Sequence, residues 1–239
     1  MPKPSSTTPG DRPQPAPVGL LLPPTHTSSR TPDPAVPDWH GLSPNHLAYL
    51  IRRYTDAGDM VLDLDAHPAA LAATTYLHRT PARLFTGPHG LRIRLLPPGR
   101  AGRGVPHLPG SGVTLILATL PQTTGHPAPD DVTTAMNTWR PLLRPGGFLL
   151  VALTTAPPPP RGFSHRATVI AAARAAGLFY HQHIPAVLAP LPEHEPRTAP
   201  EHPDEGNDGR RLLAGRHLPT FRDLVVFGST ATSEENARA

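Results

Sequence analysis

The sequence predicts an α/β fold: a Rossmann-like, doubly wound, mostly parallel sheet in three layers (α/β/α), with an antiparallel last strand. Three observations predict it. Apolar strand-like runs alternate with helical runs through the middle of the chain, as parallel strands joined by helical crossovers do. The first strand, Met60 to Leu64, leaves a Gly58-Asp59 turn, ends on acidic residues and runs straight into a helix-like stretch. That order places a ligand at the carboxyl end of a first strand. Two strand-like runs near the end, 178–188 and 221–227, flank a long polar loop. Such a pair puts one antiparallel strand into the sheet.

The elements follow in chain order. Residues 1–38 are a Pro/Ser/Thr tract with one short apolar patch, Val18 to Leu22. Too little apolar surface is available there to offset the entropy of ordering, so a disordered tail is expected. The alternative is a proline-rich docking peptide for a protein partner. Order is expected from Trp39. Ser43-Pro44 is a helix start, with Ser as cap and Pro at the first helical position. Leu47, Leu50, Ile51 and Tyr54 then fall on one helical face. After the first strand comes a helix over about 69–79, a short strand at 82–85 and an alternating strand at 91–96. Val113 to Ala118 is nearly all apolar, as in a strand covered on both faces. A helix over 130–143, a Pro-Gly-Gly turn and a second buried strand, 148–153, come next. An alanine-rich helix over 164–176 closes on Gly177. Pro185 marks the end of the following strand or an edge position. Residues 190–219 read as a mobile insertion, so the domain spans 39–228 and a second tail covers 229–239.

Composition narrows the function classes. The 35 prolines and 20 glycines make nearly a quarter of the 239 residues, and they cluster in the flanks and loops. The net charge is +4, yet the pI is about 10.1, because the basic residues are nearly all arginine. Lys3 is the only lysine. An arginine bias of this kind suits nucleic acid and equally suits a GC-rich coding background. There is no cysteine, which excludes disulfides and thiolate metal sites. No apolar run is long enough to cross a bilayer as a helix. The N-terminus lacks the charged start and compact apolar stretch of a signal peptide. A soluble, cytoplasmic protein is therefore expected.

Four stretches, taken together, carry a resemblance. They are Tyr54 to Asp63 (compare Y-x-x-x-G-D-x-V-L-D), Val113 to Pro121 (an apolar strand ending near S-P-P-Y or D-P-P-Y), Leu143 to Val151 (L-x-P-G-G-x-L-V-V) and Arg222 to Phe227 (D-L-L-V-F). In that order and spacing the chain resembles class I S-adenosylmethionine-dependent methyltransferases. More narrowly, it is similar to actinobacterial relatives of the DNA methyltransferases that modify exocyclic amino groups of adenine or cytosine. The resemblance implies S-adenosylmethionine as cofactor, held by Asp63, Asp65, Ala66 and His67 after the first strand. It implies DNA as substrate, with Thr119, Pro121 and Gln122 in the catalytic positions, facing a flipped base.

This chain departs from the pattern at three places. The turn after Asp63 reads Leu64-Asp65-Ala66-His67-Pro68, with none of the family's glycines. Asp63 therefore reads either as a cofactor contact or as a strand-end cap. Phe85-Thr86-Gly87-Pro88 has no acid where the family carries one for the ribose hydroxyls. Leu120 and Gln122 replace a proline and the stacking aromatic, a loss of roughly 1–3 kcal/mol of base stacking. The expected activity is weak or absent. The alternatives are a non-catalytic scaffold that binds DNA or a protein, and a methyltransferase with a small-molecule substrate.

The remaining constellations are weaker. His181 and His183 lie two apart on an expected strand and would share a face, but no acidic or cysteine partner stands at ligand spacing, so no metal site is expected. Arg92, Arg94, Arg100 and Arg103 form either a basic rim on the substrate side or ordinary solvated surface.

Overall fold

The computed structural model describes residues 17–22, 38–88, 90–96, 106–107, 112–120, 128–154, 163–188, 212–213, 216–217 and 221–230. Eight strands form the main sheet in the order β4-β3-β2-β1-β5-β6-β10-β7. Along the chain these are β1 (Met60–Asp63), β2 (Thr80–Gly87), β3 (Gly90–Leu95), β4 (Pro106–His107), β5 (Val113–Leu120), β6 (Leu143–Leu153), β7 (Leu178–Val187) and β10 (Phe221–Ser229). The short β8 (Leu212–Leu213) and β9 (Arg216–His217) pair only with each other.

β2, β1, β5 and β6 are mutually parallel neighbours, and β10 lies antiparallel between β6 and β7. The expected doubly wound sheet with an antiparallel last strand is therefore present. β3 also runs antiparallel, folding back on β2 as a hairpin. A two-residue connection, Pro88-His89, leaves no length for the helical crossover that a parallel strand would need.

Helices α1 (Pro44–Tyr54) and α2 (Pro68–Tyr76) pack on one face; α3 (Pro129–Trp139) and α4 (His165–Ala175) pack on the other. The period-2 alternation of strand side chains makes this possible. Leu115 and Leu117 of β5 join the α1/α2 core, whereas Ile116, Ala118 and Leu120 join the α3/α4 core. On α1, Leu47, Leu50, Ile51 and Tyr54 are all buried, and the Ser43 hydroxyl caps the helix by accepting from the His46 N–H. Tyr54 donates to the Gln182 amide oxygen at 2.7 Å, joining α1 to β7.

Within the N-terminal tract, residues 17–22 differ from the expected tail. They lie along the outer edge of β7, with Gly19 N–H on the His183 carbonyl at 2.8 Å and Val187 N–H on the Leu21 carbonyl at 2.8 Å. The unpaired backbone of an edge strand supplies the reason. The rest of that tract, most of the 190–219 insertion and residues 231–239 lie outside the described residues. Among the described residues no helix is long and apolar enough to cross a membrane.

Candidate functional site

The chain leaves β1 toward β2 on one side and returns to β5 on the other, so the carboxyl ends of β1 and β5 open at a topological switch point. The turn from β1 into α2 is wound around Asp63. This buried carboxylate accepts the Asp65 N–H at 3.1 Å and the His67 N–H at 2.6 Å. Burial pushes its pKa from 3.8 up to about 6; the His67 N–H opposes that rise, and the neighbouring Asp65 charge adds to it. Ala66 sits in the left-handed region at φ 53°, in the turn where the resembled family places glycine. For an L-residue that conformation costs about 1–2 kcal/mol. His67 caps α2, its Nδ1 accepting the Ala69 N–H at 3.2 Å, which leaves the proton on Nε2 when the ring is neutral. Burial, and then the nearby His40, hold its pKa below the ordinary histidine value.

Asp65 reaches across the crevice. The Thr119 hydroxyl, near the end of β5, donates to Asp65 Oδ1 at 3.0 Å. His40 Nε2 stands 3.4 Å from Asp65 Oδ2. Both of these atoms are buried, and neither makes a hydrogen bond among the described residues. His40 comes from the turn before α1, closed by paired Trp39 and Leu42 backbones, and it too is left-handed, at φ 51°. Its ring lies 5.2 Å edge-on from the buried Trp39 and 5.6 Å from the His67 ring. Four elements thus converge on one small polar cluster: the ends of β1 and β5, the start of α2 and the lead-in to α1.

The structure brings Asp63, Asp65, Ala66, His67 and Thr119 together. Asp63 acts as the cap of the turn, with both oxygens committed to backbone N–H groups. Pro121 and Gln122 lie outside the described residues, while Leu120 is buried against α3 and α4. His40 is the member that sequence reasoning missed. It stands 25 positions before Asp65, and no motif spacing links them; the Trp39-His40-Gly41 turn was its only local signal. Beyond β1, Phe85, Thr86 and Gly87 belong to the β2–β3 hairpin, so no carboxylate stands at the end of β2. A shallow pocket beside the crevice, between α2 and β2, has Asp63 and Arg83 in its lining.

His181 and His183 do not share a face. The β7–β10 register slips between Val226 and Phe227, which pair with Gln182 and Tyr180, so His181 is the extra residue of a bulge. His181 packs with Tyr54 and Phe148 on the α1 side. His183 binds Asp223 at 2.8 Å and approaches Arg166 of α4 at 3.4 Å.

No family model matches the sequence, and no curated protein matches it. Among solved structures, the chain is similar to a protein from Thermoplasma acidophilum described provisionally as a methyltransferase. The identity is 10%, the TM-score 0.43, and the match covers 90% of this chain and 82% of that one. It is also similar to a protein from Bordetella parapertussis described provisionally as exported, at 13% identity and TM-score 0.36, covering 79% of this chain and 67% of the other. Likenesses this distant assign no activity.

Proposed function

We propose that the protein is methyltransferase-like, that it binds S-adenosylmethionine at the β1–β5 crevice, and that its transfer to DNA amino groups is weak or lost. The observation that carries this reading is the pair of buried atoms at the switch point, Asp65 Oδ2 and His40 Nε2, which face each other at 3.4 Å without a hydrogen bond. Their 3.4 Å contact is too long for a good hydrogen bond, so a ligand that hydrogen-bonds both groups replaces a poor contact with better ones.

The residues fit the cofactor at one end. Asp65 suits the ammonium of its methionine part, and ligand entry parts His40 from Asp65. The other end lacks the expected ribose carboxylate, because Phe85 to Gly87 form a hairpin. When bound, the cofactor supplies a methyl group on a sulfonium for in-line transfer. Thr119 offers its oxygen lone pairs at the mouth of β5 while its proton is engaged with Asp65. That single acceptor, with Leu120 turned into the core, makes a poor holder for an amino group.

The second reading, a non-catalytic scaffold, is favoured by one observation. Asp65 already contacts both His40 and Thr119 across the space that a cofactor would enter. Calorimetric titration with S-adenosylmethionine decides between the two. The first reading expects saturable binding that Asp65→Ala weakens at least about tenfold, the effect of losing one charged hydrogen bond. No heat from a folded sample at high ligand concentration selects the scaffold. A positive titration is followed by a DNA methylation assay.

A further inference from the structure

The β2–β3 hairpin carries a charge pattern that the crevice does not use. Ala82, Leu84, Ile93 and Leu95 face the α3/α4 core. By alternation Arg83, Phe85, Arg92 and Arg94 project from the opposite face, the side of α2. Arg83 stands directly opposite Arg94, and Phe85 opposite Arg92. Like charges in a cross-strand pair are destabilising. Arg83 has the Asp63 carboxyl as its neighbour on β1, and no ion pair relieves Arg92 or Arg94 among the described residues. The Arg94 guanidinium lies over the Phe85 ring at 4.5 Å. The Arg92 chain lies so close to Gly87 that a Cβ there would stand 3.3 Å from its Cδ. Arg83 donates to the Ala66 carbonyl at 3.3 Å, which ties the row of cations to the crevice turn.

We propose that this face of the hairpin binds single-stranded nucleic acid, with phosphates on Arg83, Arg92 and Arg94 and a base stacked on the Phe85–Arg94 pair. Guanidinium forks match phosphate oxygens, and a polyanion laid along the row turns the Arg83–Arg94 repulsion into shared attraction. Alternate residues of a strand stand about 6.5–7 Å apart, so the cations form a track and not a point. An aromatic face within a cationic track is what an unpaired base finds and a duplex cannot use. The placement deepens the function proposed above and rests on it for the choice of nucleic acid over another polyanion.

The test is fluorescence anisotropy of the full chain with a labelled mixed-sequence oligonucleotide of about 20 nucleotides, single-stranded and duplex, from about 50 to about 200 mM salt. The single strand should bind more tightly, with affinity falling as salt rises. The double variant Arg92→Gln/Arg94→Gln should lose at least tenfold and flatten the log–log salt slope by about 1.4, the release from two single-strand phosphate contacts. Phe85→Leu keeps an apolar side chain and should weaken the single strand by about fivefold or more while leaving the duplex unchanged. Wild-type protein that binds neither oligonucleotide overturns the proposal. So does a double variant within about twofold of wild type with an unchanged slope. Thermal melts confirm folding, and removal of two like charges should hold or raise Tm. Cofactor calorimetry separates the two proposals. Salt-sensitive single-strand binding without any cofactor heat keeps this surface and refutes the crevice reading; cofactor heat with no oligonucleotide binding does the reverse.

Discussion

Asp63→Asn tests whether the turn that builds the crevice is held by a carboxyl group kept partly neutral. Burial raises this pKa from 3.8 to about 6. The shift of about 2.2, at 1.36 kcal/mol per unit, corresponds to about 3 kcal/mol. The folded protein holds this proton more tightly than the unfolded chain does. The contribution is therefore fully present below the unfolded value and is lost as pH rises through about 6. Between about pH 4 and pH 7 wild-type stability should fall by about 2–3 kcal/mol from this group alone. Asparagine does not titrate. Its carbonyl oxygen can accept one of the two N–H groups that Asp63 now binds, and the other is left unpaired at about 1–3 kcal/mol at every pH. The variant should thus be clearly less stable at low pH, and the gap should close or invert near neutrality. Urea denaturation of both proteins across this range, with equal m-values, measures it. A gap that stays constant with pH would refute the reasoning, because Asp63 would then titrate alike in the folded and unfolded chain.

Three further substitutions probe the frame around the site. Tyr54→Phe removes the buried hydrogen bond to Gln182 and should cost about 1–3 kcal/mol in urea denaturation, since the Gln182 oxygen loses its donor. Gly147→Ala drives a Cβ to 2.9 Å from the Val113 carbonyl oxygen and 3.0 Å from that of Arg144, and should cost about 1–3 kcal/mol or more by overpacking against backbone. Gly146→Ala meets open space and should cost only about 1–2 kcal/mol, for its left-handed φ of 73°. An equal Tm for the two glycine variants would contradict the crowding argument.

Much of the scaffold was legible because local rules and burial agree there. Ser43-Pro44 and the Leu47, Leu50, Ile51, Tyr54 stripe mark a helix whose cap and face are those observed. The apolar runs of β5 and β6 mark strands covered on both faces, and they lie side by side in the middle of the sheet. Asp63, with a helix-starting turn behind it, marks the carboxyl end of β1. The 82–85 and 91–96 runs marked strands, but not their antiparallel pairing, which the short connection imposes.

What the sequence by itself determined is therefore the longer elements, though not the short β4, β8 and β9, together with their alternation and the turn that ends β1, because period, caps and turn residues act over a few neighbouring residues. Tertiary structure alone decided three things. It laid residues 17–22 on the β7 edge, since only a folded sheet has an edge to pair with. It turned His181 and His183 to opposite faces, since a bulge is a property of two strands in register and not of one. It brought His40 against Asp65, a contact between residues far apart in the chain that exists only once α1 and β1 are packed.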